Sequence, residues 1–534
     1  MESLHQLETI ILLLIAVLAL TAVARKLVIP YPILLVIGGL ILGLIPGLPT
    51  IHLHPDLVFL VFLPPILWAA AYFTSWRDFR ANLRPITLHA VGLVLVTTAA
   101  VAAVVHTALP GLSWAGAIAL GAIVSPPDAV SATAVGKRLH LPHRVLTILE
   151  GESLVNDATA LVLYRVAIAA AISGTFALSN TLLDFVLAAT VGIGVGLAVG
   201  GATRWALGLT QDSFSEIAIT LLAPYIAWVV AERTHASAVL ACVAGGLYLR
   251  HYFSAVVAPV TRIQALAVWN LLVFVLNGII FILIGLQLGA LRDAVPSGEF
   301  GPLILIGVLV SVTAIIIRLL WVPVAAWVPR FLSPALRARD PMPPWPNLFI
   351  IGWTGMRGIV SLAGALALPL TSAAGTPFPF RAELILITFM VILVTLVLQG
   401  LSLPPLIRAL RLPADHSFEH EERQAREQAA SAALARLDEV AREDWSVPDH
   451  IEQMRVHYDR RAGTLEAECT PEAAEAFRRL RHEALTAERL AVINLRNDGV
   501  ISDEVLHRLE YELDVEALRL GTGELRVPSG KRRS

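Results

Sequence analysis

Apolar residues recur along the first four-fifths of the chain in runs of about twenty, the length a helix needs to cross a hydrocarbon layer. These windows fall near 8–24, 27–46, 56–75, 86–109, 114–135, 147–172, 180–203, 214–232, 235–250, 266–290, 302–328, 347–371 and 383–407. Beyond residue 413 the pattern changes to apolar positions at helical spacing within charged sequence. Ala429–Val440 and Glu472–Leu495 read as amphipathic helices there, Asn497-Asp498-Gly499 is a turn signal, and Ser502-Asp503-Glu504-Val505 starts a further helix through Leu520. The pattern predicts an all-α polytopic membrane protein of about thirteen spans, residues 1–413, followed by a soluble helical tail, residues 414–534.

Composition agrees. Of 534 residues, 56% are hydrophobic and only 15% charged, with a mean hydropathy of +0.71, more apolar surface than a soluble fold of this length buries. The first apolar run, Ile10 to Val23, follows no Lys or Arg. It lacks the basic segment of a cleavable signal and reads as the first span. Cys242 and Cys469 fit no disulfide or metal spacing.

Charge divides the chain. Residues 1–413 carry 22 Lys/Arg and 16 Asp/Glu, whereas residues 414–534 carry 18 and 26. The near-neutral whole therefore joins a basic membrane part to an acidic tail that is expected to be regulatory or to stabilise a dimer. An odd number of spans puts the termini on opposite sides. With the N-terminus outside, the inner loops hold sixteen Lys/Arg and the outer loops only Arg233, Arg292 and Arg381. The positive-inside rule then places the tail in the cytoplasm, and the expected location is the plasma (inner) membrane.

Three spans carry polar groups that a membrane helix does not hold without cause. The sixth contains Glu150, Glu152 and Asp157; an ionised carboxylate at bilayer depth costs at least ~2.5 kcal/mol and persists only for function or pairing. At 100° per residue Glu152 shares a face with Asn156, and Ser153 with Asp157. These two faces make a stripe of oxygen ligands that also release protons. The fifth span carries Ser125-Pro126-Pro127-Asp128; successive prolines break a helix, and irregular backbone at this depth survives beside protein or a water-filled cavity. Free carbonyls and half-helix dipoles beside an acid suit a cation. In the twelfth, Gly352, Gly355 and Gly358 make a thin crossing face. Arg357 near its centre needs an anion, and only spans five and six offer acids at that depth.

Spans 1–6 and 8–13 form two six-helix halves around span seven, and spans five and twelve are the fifth of each. This is the inverted-repeat plan of secondary transporters. Arg165 and Arg318 read as structural or interfacial. Glu216, Glu232, Asn277 and Gln287 suit a vestibule or helix contacts. His106, His235 and His251 lie near span ends, where a histidine tunes pH response or is merely solvated.

Pro127-Asp128, Glu152-Ser153-Leu154-Val155-Asn156-Asp157 and Gly355-Met356-Arg357-Gly358, in this order over residues ~8–410, resemble the monovalent cation:proton antiporter-1 family of sodium/proton antiporters and exchangers. The resemblance implies that Asp157 binds either the cation or protons, that Asp128, Asn156 and Ser153 help form the Na⁺ site, and that Glu152 pairs with Arg357. Asn156 stands where the electrogenic branch has an aspartate, which implies electroneutral exchange. Many members read Thr-Asp-Pro in span five; Pro127-Asp128-Ala129 lacks that threonine. The resemblance also implies a homodimer in membrane lipids and no cofactor.

The expected function is therefore exchange of cytoplasmic Na⁺ or Li⁺ for external H⁺, with K⁺/H⁺ exchange the alternative. An intramembrane hydrolase with an Asp128–Asp157 dyad needs two carboxylates sharing a proton and gives Asn156 and Arg357 no role. A channel needs a continuous polar pathway, which isolated acids between glycine-packed helices do not provide. No Gly-x-x-x-x-Gly-Lys-Ser/Thr loop is present for ATP-driven pumping, and nothing suggests nucleic-acid binding.

Overall fold

The protein, a computed structural model, is described over residues 2–27, 29–45, 58–128, 141–173, 178–210, 212–295, 300–371, 377–412, 417–443, 445–461, 471–498 and 500–519, with 130, 132, 133, 136, 139 and 298. Cys469 and the basic cluster at 531–533 lie outside these residues. The chain divides into two compact units, Met1–Asp415 and His416–Ser534.

Among the described residues, each apolar window of the first unit is largely helical. In chain order the helices are α1 (Glu2–Leu27), α2 (Tyr31–Gly43), α3 (Val58–Phe73), the short α4 (Trp76–Ala81), α5 (Leu83–Ala108), α6 (Trp114–Val124), α7 (His143–Ser173), α8 (Leu178–Leu207) and α9 (Ser213–Arg233). They continue with α10 (Ala238–Val256), α11 (Pro259–Ala294), α12 (Phe300–Leu332), the short α13 (Pro334–Arg339), α14 (Trp345–Trp353), α15 (Ile359–Leu366) and α16 (Arg381–Ala409). Seven described helices are long and apolar enough to cross a membrane, and four more are apolar but of 10–17 residues. Large apolar side chains point outward along the long helices, including Leu12, Ile15 and Leu18 of α1 and Leu305, Ile316 and Leu320 of α12. Such an exposed apolar belt is what lipid covers.

The starts follow from local chemistry. Ser113 Oγ accepts from Gly116 N at 3.1 Å and opens α6, Asp212 Oδ2 accepts from Ser215 N at 2.8 Å and opens α9, and Ser237 Oγ caps α10. Each satisfies a donor that a helix start leaves free.

The helices sort into two packed groups. In one, α2 lies along α11, α10 lies against α8 and α3, and α9 bridges α8 and α11. In the other, α6 packs between α5 and α7, α12 packs on α16 and α5, and α15 packs on α16 and α6. The Gly39 backbone lies so close to α11 that an added Cβ would sit 3.1 Å from Gly285 Cα, so only glycine lets α2 and α11 approach this far.

Two helices are interrupted. The fifth window begins as α6, leaves helical form over Ser125–Asp128, and is helical again at 130, 132 and 133. The twelfth is α14, an extended stretch over 354–358, and α15.

The described residues of the second unit form four helices, α17 (Ser417–Val440), α18 (Pro448–Arg461), α19 (Pro471–Asn497) and α20 (Asp503–Arg519). The first starts twelve residues before the predicted Ala429, and α18 was not predicted. Its charged sequence, with Asp449, Glu452, Arg455, Asp459 and Arg460, hides the apolar period that pattern reading relies on. The helices pair as α17 with α18 and α19 with α20. Leu485, Leu506 and Leu513 are buried, and Arg455–Asp438 and Arg489–Asp514 pairs lie outside.

Candidate functional site

The two interruptions cross. Asp128 N donates to Met356 O at 2.6 Å, so one broken strand of backbone satisfies the other where neither has its own helix to pair with. Gly358 makes the crossing possible, since a Cβ there would lie 2.8 Å from Asp128 Cβ and Cγ. Gly352 leaves room for Leu319, and Gly355 for the Arg318 side chain. Pro126 and Pro127 free the carbonyls, and Pro127 O accepts from Asn156 Nδ2 at 3.1 Å. The prolines, the glycines and Asn156 thus form one knot between α6, α7 and the α14–α15 link.

Arg357 occupies the knot differently from the expectation. Its Nε donates to Val124 O at 2.9 Å, its Nη1 to Gly355 O, and its backbone N to Thr395 Oγ1 at 3.1 Å. Val124 ends α6 and Gly355 follows the end of α14, so the guanidinium sits at the negative ends of two half-helices. The predicted Glu152–Arg357 pair is not the one formed. Glu152 takes Arg318 of α12, with Nη1 on Oε1 and Nη2 on Oε2 at 2.9 Å, both residues 1% exposed. Arg318 Nε also donates to Ile351 O at 3.1 Å, and His89 Nδ1 lies 3.6 Å from Glu152 Oε2. A flat guanidinium approaching across the α12–α7 gap matches a carboxylate with two bonds at once. Arg357, held in the link by three partners of its own, has no reach to spare.

Asp128, Ser153 and Asp157 line one cavity of about 330 Å³, with Pro126, Pro127, Glu150, Gly358 and Ser361 from the same helix group. Its other wall is Tyr31 of α2, residues of α3 including Leu67 and Phe73, and Val273 and Asn277 of α11. The cavity therefore lies where the two groups meet. Asp128 Oδ1 accepts from Val130 N at 2.9 Å, while Oδ2 is buried without a partner among the described residues. Asn156 Oδ1 is likewise buried and unpartnered. Asp157 is 6% exposed and makes no ion pair with a described Arg, Lys or His. Of the described residues, none form a His/Cys/Asp/Glu cluster that would hold a resident metal. Carboxylate, amide and hydroxyl oxygens at a break in two helices suit a hard, monovalent cation or a proton.

Other polar positions have plainer places. Arg165 pairs with Glu232 at 2.8 Å, half exposed, and His106 Nδ1 contacts Leu112 O at 2.8 Å. Tyr31 and Ser361 carried no signal in the sequence as single polar residues in apolar runs; only the fold turns them to the cavity. A separate cluster gathers helix ends, in which Asp340 meets Arg84 of α5 at 2.6 Å, Arg144 of α7 at 2.9 Å and Arg330 of α12 at 2.8 Å. Partial burial pushes the Asp340 carboxyl up, but the hydrogen bond and charge of Arg144, with Arg330 and Arg84, outweigh it and hold the group below the usual range.

The profile of the Na_H_Exchanger family, described as sodium/hydrogen exchanger, transmembrane, matches residues 12–409. An uncharacterised Na⁺/H⁺ exchanger of Mycobacterium tuberculosis is 35% identical over 526 residues, 96% of each chain. A sodium, potassium, lithium and rubidium/H⁺ antiporter of Bacillus pumilus is 31% identical over 81% of this chain and 67% of its own. Among solved structures, the sodium proton antiporter MjNhaP1 of Methanocaldococcus jannaschii superposes with a TM-score of 0.59 at 20% identity, over 77% of this chain and 99% of that one. That likeness shows a shared fold. The members are membrane transporters, not enzymes, and need no cofactor. With three-quarters of its length matched and a full-length relative at this identity, the chain belongs to the sodium/hydrogen exchanger family of monovalent cation:proton antiporters.

Proposed function

We propose that this protein is a secondary active antiporter exchanging cytoplasmic Na⁺ or Li⁺ for external H⁺, with Asp157 holding a proton or a cation but never both. The observation that carries this reading is the contrast between two kinds of buried acid. Glu152 is neutralised by Arg318; Asp128 and Asp157 line a cavity with no described cationic side chain bound to them. A permanent arginine partner would occupy the place of the transported charge, and here both nearby arginines are committed elsewhere. Asp128, Asn156 and Ser153 complete the site. Thirteen spans, two inverted halves crossing at α6 and the α14–α15 link, an outside N-terminus and a cytoplasmic tail in the plasma membrane are the topology that this reading uses. The family resemblance adds a homodimer through the membrane unit.

Stoichiometry follows from Asn156. An amide ligates or orients but does not titrate, so no second carboxylate stands beside Asp157 on α7, and exchange in which Asp157 alone alternates moves no net charge. The test is dye-monitored cation-driven ΔpH in proteoliposomes, with voltage set by potassium and valinomycin. Wild type is expected to acidify or alkalinise at a rate independent of voltage, and Asp157→Asn to show none. Exchange surviving in Asp157→Asn sinks the site; a rate that climbs with a voltage favouring net charge movement overturns the one-for-one reading. A second reading, K⁺/H⁺ exchange, is favoured by the name of the Bacillus pumilus relative and is decided by titrating each cation in the same assay.

A further inference from the structure

The cavity has two walls, and only one of them contains the acids. On the other wall Asn277 of α11 is 2% exposed, and its Oδ1 has no hydrogen-bond partner among the described residues. Ser361 of α15 is 1% exposed, and its Oγ likewise has no partner among the described residues. Both line the cavity. Tyr31 of α2 lines the same cavity. A buried polar atom left without a partner is costly, and two such oxygens facing one cavity that already holds two carboxylates call for a common occupant. Among the described residues the surrounding side chains supply carboxylate, amide and hydroxyl oxygens and no cation, which suits a positively charged occupant.

We propose that Asn277 and Ser361 are neutral oxygen ligands of the transported cation, and that Asn277, brought by the helix group opposite the acids, sets the preference for small alkali cations over large ones. This rests on the antiport reading above and extends it. Neither residue titrates, so both add affinity without altering the number of protons exchanged. Asp128, Ser153, Asn156 and Asp157 ride on α7 and the α6 break. Asn277 rides on α11, packed with α2 in the other group. The cage is complete only while the two groups are closed on the ion. A small cation gains most from the added oxygen, because its charge is felt at shorter distance; a large one already fills the space.

The experiment measures exchange in proteoliposomes of the full chain against Na⁺, Li⁺ and K⁺, with Asn277→Leu, Asn277→Asp and Ser361→Ala. In Asn277→Leu the KM for Na⁺ and Li⁺ is expected to rise about tenfold, the scale of one lost contact to a charged group. The KM for K⁺ should rise less, and the rate at saturating cation should be retained. Asn277→Asp keeps an oxygen at the position and should restore Na⁺ affinity, which a merely packing role would not predict. Ser361→Ala, with almost no change of volume, should raise the Na⁺ KM alone. An unchanged Na⁺ KM in Asn277→Leu and Ser361→Ala overturns the proposal, as does a rise that is equal for all three cations and not restored by Asn277→Asp. A wild-type protein that exchanges no cation for protons overturns the antiport reading together with this one, so the two failures are told apart by the wild-type trace.

Discussion

Glu152 and Arg318 form a closed, dry ion pair, and breaking one half leaves a buried charge. Arg318→Ala should cost about 3–5 kcal/mol of stability in detergent, whereas Glu152→Gln combined with Arg318→Met should recover much of it. A thermal-shift double-mutant cycle checks this: strong coupling for Glu152 with Arg318, and additive losses for Glu152 with Arg357. The resemblance implied a Glu152–Arg357 pair, whereas the structure pairs Glu152 with Arg318. Both candidates are lone cations in apolar helices, and sequence distance carries no information about which of them α7 faces. Arg357 instead answers to two helix ends, an electrostatic partner made of backbone that no side-chain inventory contains.

At the scale of elements, the crossing depends on missing atoms. Gly358→Ala should drive a methyl into Asp128, separating the α6 break from the link between α14 and α15. The expected outcome is loss of exchange together with a lower melting temperature, while alanine at Gly298, which meets no atom within 4 Å, should change neither. A second element-scale device is the loop clamp around Asp340, which ties the start of α5, the start of α7 and the end of α12. Its folded carboxyl titrates below the usual range, so its stabilisation is present above the unfolded value and lost as pH falls through the folded one. Melting temperature should therefore drop on acidification below about pH 4, and Asp340→Asn should start lower and drop less. A melting curve of the variant with the same acid slope as wild type would remove Asp340 from that role. The Pro126-Pro127 pair announced the break in the fifth window, and Gly352, Gly355 and Gly358 announced the crossing face of the twelfth. Asp340 gave no such signal, because three arginines from helix ends far apart in sequence meet there only after folding.

For the whole molecule, the chain divides at residues 415 and 416, close to where apolar runs give way to charged sequence. If the dimer forms through the membrane unit, a chain ending at Leu412 should remain dimeric by native mass spectrometry; dimers seen only with the full chain would assign the contact to the tail. The hydrophobic runs, the charge asymmetry and the motif residues determined the class of protein, where its apolar helices run and which acids fall within those runs. These properties are local or one-dimensional: a span needs only length and apolarity, and a proline breaks its own helix. Partner choice was decided by the tertiary structure. Which arginine meets Glu152, why Asn156 binds the Pro127 carbonyl, and why Tyr31, Asn277 and Ser361 share a cavity with Asp128 all depend on helices far apart in sequence being packed against one another, and packing direction is not encoded in any one of them.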